Sequence, residues 1–194
     1  MPRTPAVRDS RRHQWEKNRV RRPRSERAGR GATEHDTGLE CSDLVFHAEY
    51  DNTDASEELA EVFGVPVGTP LLKRSYRTRR AAESAPFSLI TSYLRRDLIA
   101  ANPDLLDPAG EPWPGGTQHQ LHTVGIEVDR VEERVTARPP TPAEARELEL
   151  PAGAPVLVLC KTSYDIHDRV VEVSLVTLPG DRTELLFTTH LERW

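Results

Sequence analysis

The chain has 194 residues, 37% of them hydrophobic, and a formal net charge of −5. That suits one domain of ordinary size with an extra tail, and no apolar run approaches the roughly 20 residues that span a bilayer. Two cysteines, Cys41 and Cys160, exclude a disulfide framework and a cysteine-based zinc site, and no apolar leader is visible, so a reducing cytoplasm is the expected setting.

The charge is unevenly spread. Residues 1–30 carry 11 Lys/Arg against 3 Asp/Glu, so the remainder is strongly acidic. An acidic body is a poor nucleic-acid surface, whereas the basic arm suits weak, salt-sensitive association. Residues 1–38 hold few apolar side chains and several Pro and Gly, which predicts a mobile arm. A short helix over Asp9–Arg22 fits the pattern, and Trp15 suits docking on a folded body.

From residue 39 the pattern becomes globular. Asp43–Asp51 reads as a strand. Asp54 stands three residues before Glu57 in capping-box spacing, Leu59, Val62 and Phe63 give the following helix an apolar side, and Gly64 stops it. Leu71–Leu94 then reads as a hairpin with its turn at Ala81–Ala85, which lets an arginine on one arm reach a hydroxyl on the other. The plain alternative is a charged edge strand that deters aggregation. Arg96–Leu106 looks helical, interrupted at Pro103, and Asp107–Thr117 is a Pro/Gly-rich loop. His119–Val124 leads into a strand over Ile126–Thr136. Thr141, Pro142 and Glu144 start a second helix. Strands follow at Val156–Tyr164, Val170–Leu178 and Leu185–Thr189.

An internal repeat organises these elements. Residues 55–72 and 140–157 align at an offset of 85: Ala60 with Ala145, Phe63 with Leu148, Pro66 with Pro151, Gly68 with Gly153, Pro70 with Pro155, Leu72 with Leu157. Each copy runs capped helix, turn, strand, polar turn, strand. Two such units predict one antiparallel sheet with flanking helices and a pocket where their hairpins meet. Aligning the turns sets Glu172 of the second hairpin against Ser88 of the first.

The Pro-x-Gly-x-Pro turn, the aspartate turn, Glu172-x-Ser174 and Gly180-Asp181-Arg182, in that order from Thr33 to Trp194, resemble the UTRA domain. This is the effector-binding half of HutC-type regulators of the GntR family. The resemblance implies an α+β, chorismate lyase-like fold: an antiparallel sheet of about six strands with flanking helices, built from two pseudo-repeated helix–hairpin halves. It also implies a homodimer that senses a small anionic or zwitterionic metabolite and modulates DNA binding by rearranging. The domains implied are a basic arm or linker, 1–38, and a ligand-binding domain, 39–194. The effector residues implied are Arg77, Arg79, Ser88, Tyr93, Glu172, Ser174 and Arg182, with Ser92 beside them. In this reading arginine takes a carboxylate or phosphate and Glu172 an amine or hydroxyls. No cofactor, metal or membrane is implied. Residues 1–38 show no helix-turn-helix pattern, so DNA contact is expected only through a winged-helix domain outside this stretch, or weakly through the arm.

Besides weak nucleic-acid association through Arg3–Arg30, the residues leave two other readings open. One is a small enzyme of the same fold, although Gly-x-Ser-x-Gly is absent, His47-Ala48-Glu49 lacks the deaminase's cysteine partners, and His119 and His122 lack a third ligand. The other is a stand-alone modulator acting on a full-length regulator through mixed dimers.

Overall fold

The computed structural model describes residues 5–28 and 30–192. Residues 1–4 of the expected arm (Arg3 among them), Gly29, and residues 193–194 with the terminal Trp194 lie outside the described residues. In chain order the elements are β1 (Ala6–Asp9), α1 (Arg12–Arg19), α2 (Arg24–Ala28), α3 (Ala32–Thr37), β2 (Leu44–Asp54), α4 (Glu57–Phe63), β3 (Pro70–Arg80) and β4 (Ser88–Arg95). Then come α5 (Arg96–Ile99), α6 (Gly116–Thr123), β5 (Val128–Arg138), α7 (Pro142–Glu147), β6 (Val156–Asp165), β7 (Val170–Pro179) and β8 (Thr183–Leu186). The fold is α+β, and no described helix is long and apolar enough to cross a membrane.

Six strands form one antiparallel sheet in the order β2-β3-β4-β7-β6-β5. That order is palindromic in the repeat: β2-α4-β3-β4 and β5-α7-β6-β7 are the two halves, joined where β4 pairs with β7. The repeat extends to backbone detail. Gly68 and Gly153 have φ of 83° and 82°, and Gly64 and Glu149, also 85 residues apart, have φ of 63° and 49°. Val65 N–H donates to the Ala60 carbonyl and Leu150 N–H to that of Ala145, both at 3.0 Å. These are the closing bonds of equivalent helix C-termini.

Local chemistry sets the helix starts. Thr141 and Glu144 form the expected capping box, with Pro142 in the first turn. The first helix starts two residues later than the Asp54 reading placed it. β2 runs on to Asp54, Ala55 is buried, and the Ser56 hydroxyl caps Leu59 N–H.

The faces of the sheet are covered differently. One packs on α4 and α7, burying Phe63, Leu71 and Val173 in one cluster and Leu148, Val156 and Val158 in another. On the other face, α5, α6 and their connections bury Leu72, Leu94, Ile99, Leu121, Ile126 and Val171. His119–Val124, read as the approach to a strand, lies largely in α6.

The N-terminal segment, whose composition suggests an arm, holds a strand and three short helices. β1 pairs in parallel with β8, which occupies Thr183–Leu186 rather than Leu185–Thr189. Arg8 reaches Glu133 at 2.6 Å, Arg12 reaches Asp36 at 2.7 Å, and Trp15 stacks on His35 with ring centres 4.2 Å apart. A balance of apolar content alone misses backbone pairing and partly buried ion pairs, and these tie the segment down.

Candidate functional site

Alternation along a strand sends successive side chains to opposite faces, so strand parity decides which residues meet. On the face away from α4 and α7, pairing sets Arg74 beside Ser92, Ser92 beside Ser174, and Ser174 beside Lys161. This row of four crosses the seam between the repeats. Ser163 and Glu172 sit one step along. A β-bulge beside them leaves Val171 without a partner on β6. Val170 therefore packs with the α4-side cluster and Val171 with the opposite one.

Glu172 is the centre of this floor. Its Oε1 accepts from Ser92 Oγ at 2.8 Å, Ser174 Oγ at 3.1 Å and Arg74 Nη2 at 3.4 Å. Its Oε2 accepts from Lys161 Nζ at 2.8 Å and Ser163 Oγ at 3.2 Å. The residue is 3% exposed. Burial works to raise its pKa, but Lys161, Arg74 and the hydrogen bonds outweigh it and hold the carboxyl at about 2. Arg74, 1% exposed, is buried at the end of this row under α6 and also donates to Gln120 Oε1 at 2.6 Å and Thr117 Oγ1 at 3.4 Å. A second carboxylate, Glu111, gathers Tyr50 O–H, Tyr76 O–H, Gln120 Nε2 and the Trp113 backbone N–H.

Above this floor is a cavity of about 520 Å³, within the range of small-molecule sites. Phe46, Ile90, Val128, Val131 and Val176 form apolar walls, and Arg8, Arg12, His13, Arg19 and Arg27 of the N-terminal segment border it. Those arginines are engaged elsewhere. Arg8 and Arg12 pair with Glu133 and Asp36. Arg19 donates to the Arg27 carbonyl and lies over the Trp15 ring, and Arg27 donates to the Pro114 carbonyl.

Of the residues singled out in the sequence, Glu172 and Ser174 line this cavity, as does Ser92. Arg77 and Tyr93 point to the opposite face: Arg77 pairs with Glu147, and Tyr93 packs against the cluster that holds Phe63. Arg79 donates to turn carbonyls, including that of Glu83 at 3.0 Å. Ser88 lines a small adjoining hollow with Phe87 and Ile90. Arg182 is buried on the carbonyls of Pro86 and Leu148 and on Asp181.

Arg74, Tyr76, Lys161 and Ser163 were missed. The available signal was parity, since Arg74, Tyr76 and Thr78 share a face that Arg77 and Arg79 do not. The repeat carried a second signal, because the offset of 85 takes Tyr76 to Lys161 and Thr78 to Ser163.

Among the described residues no three His, Cys, Asp or Glu side chains are grouped to hold a metal ion. His119 Nδ1 accepts from Trp113 Nε1 at 2.8 Å, and burial pulls its pKa down to about 4.

The family model described as the UTRA domain matches residues 47–184. Two curated relatives carry the description uncharacterized HTH-type transcriptional regulator. SCO4628 of Streptomyces coelicolor is 30% identical over 129 residues, which cover 66% of this chain and 47% of the relative. RB1450 of Rhizobium meliloti is 30% identical over 177 residues, covering 89% of this chain and 68% of the relative. The chain thus spans about half the length of the first and two thirds of the second. Among solved structures, the effector domain of PhnF from Mycobacterium smegmatis superposes with a TM-score of 0.64 at 23% identity, over 76% of this chain and 89% of that one. Whole PhnF gives 0.68 at 22% identity, over 82% and 67%. At these identities the structural likeness speaks to the fold.

Proposed function

The chain belongs to the UTRA domain family, the effector domains of GntR-type transcription regulators, and on that premise we propose that its cavity binds a small anionic or zwitterionic metabolite. Occupancy would bias a homodimer between arrangements that differ in affinity for DNA, with DNA held by a winged-helix domain. Residues 39–194 form the ligand-binding domain, and 1–38 are a linker, part of which borders its cavity. The setting is the cytoplasm, and the role is regulatory rather than catalytic, in keeping with relatives described as transcriptional regulators.

The observation that carries this reading is the polar floor at the seam of the two halves. Burying five serine, lysine and arginine donors around one carboxylate is costly unless every group is satisfied. Here it sits beside an open cavity with apolar walls.

Titration calorimetry with pooled small metabolites tests the proposal. A saturable heat is expected from at least one pool. Silence from every pool, for a folded chain, speaks against a sensing role.

A further inference from the structure

The chemistry of the ligand follows from which floor groups still have a bond to give. Ser92, Ser163 and Ser174 each spend their one hydroxyl proton on Glu172. Glu172 already takes five donors, three on one oxygen and two on the other. It has no room for a ligand amine or hydroxyl. Arg74 stands in the same row, is buried under α6 and donates to Gln120, Ser92, Thr117 and Glu172.

Lys161 is different. Its ammonium has three N–H donors, and the one hydrogen bond seen for it goes to Glu172, which leaves two for the cavity it lines. The Arg74 Nε is also without a partner, but Arg74 is buried and does not line the cavity, so among the described floor residues that line it Lys161 is the cation with donors to spare.

We propose that Lys161 is the residue that reads the ligand, taking an anionic oxygen of a carboxylate or phosphate, and that Glu172 is a positioning residue that holds Lys161 and three serine hydroxyls without touching the ligand. This rests on the cavity being the effector site. With their protons committed to Glu172, the cavity-lining Ser163 and Ser174 hydroxyls can meet a ligand only as acceptors, which suits hydroxyl groups next to the anion, while Ser92 already accepts from Arg74. The Lys161 charge repels a ligand ammonium and Glu172 has no acceptor to offer it, so the site selects hydroxylated anions over amines. The sequence has only three lysines, Lys17, Lys73 and Lys161, so chemical labelling can follow each separately. Lys73 lies on the opposite face of β3, partly exposed, and serves as an internal reference.

The test uses 8-anilinonaphthalene-1-sulfonate as a fluorescent anionic probe on the whole chain, competed with inorganic phosphate, citrate and ethanolamine. The wild type is expected to bind the probe saturably. Phosphate or citrate should displace it, and which does so tells phosphate from carboxylate recognition. Ethanolamine should leave it in place. Lys161→Met should weaken probe binding about ten- to a hundredfold, the loss expected for a charge-assisted hydrogen bond, while Lys161→Arg restores most of it.

Acetic anhydride labelling read by mass spectrometry provides a second measurement on the unaltered chain, independent of how any variant folds. The probe should protect Lys161 and leave Lys73 unchanged. Saturable binding that Lys161→Met leaves intact, with Lys161 unprotected, overturns this proposal but keeps the sensing role. Displacement by ethanolamine that Glu172→Gln abolishes overturns it in favour of amine recognition. Failure to bind any anion overturns both readings.

Discussion

Ser92 and Ser174 stand directly opposite each other where β4 pairs with β7, and both hydroxyls donate to the same oxygen of Glu172. The seam between the two repeats is therefore also the floor of the cavity. Anything that disturbs this junction acts on fold and site together.

Removing one partner from the buried network leaves the others uncompensated. Arg74→Met is expected to cost about 3–5 kcal/mol, the range for breaking a buried ion pair. Equilibrium urea unfolding measures it. A cost below about 1 kcal/mol would mean that Arg74 is not held as described.

Acid should expose the same network. The Glu172 carboxyl is held at about 2, against an ordinary value of 4.5. A depressed carboxyl contributes stability above its unfolded value and loses it as the pH falls toward the folded one. Stability should thus drop between about pH 4.5 and pH 2 by on the order of 3 kcal/mol from this group. Glu172→Gln should flatten that limb when unfolding is followed across pH.

Strand parity makes a contrasting prediction. Arg77 faces away from the cavity and meets Glu147 in a half-exposed pair. Arg77→Ala should change stability by less than about 1 kcal/mol and leave probe affinity unaltered. A large loss of affinity would place the ligand on the other face of the sheet.

The N-terminal segment gives a fourth. Trp15 stacks on His35 and carries the Arg19 guanidinium, while β1 hydrogen-bonds along β8. Trp15→Ala is expected to speed amide exchange at Val7 and Arg8 by at least tenfold while Ser92 and Ser174 keep their protection. Equal acceleration in all four would tie the segment to global unfolding.

Much of this architecture could be read in the chain before any coordinates. The two Pro-x-Gly-x-Pro turns, the capping box at Thr141 and the apolar spacing of the helices are local signals, and the palindromic sheet follows once they are seen to repeat. The site was harder to read because it depends on pairing across strands. Two adjacent leucines, Leu71 and Leu72, both buried, hide which face of β3 looks inward, and a one-residue slip in parity exchanges Arg74 for its neighbours. Lys161 and Ser163 carry no local mark at all; only the register with β7 brings them to Glu172. The contacts of the N-terminal segment are hidden for a related reason, since Glu133 and β8 lie far away in sequence.

The most direct measurement compares metabolite binding by the wild type and by Ile90→Trp, which fills the cavity from its wall and leaves the Glu172 network alone. Calorimetry against the same metabolite pools should show a saturable heat for the wild type that the tryptophan abolishes, with both proteins equally folded by circular dichroism. Identical heats from the two proteins would contradict a ligand site at the seam.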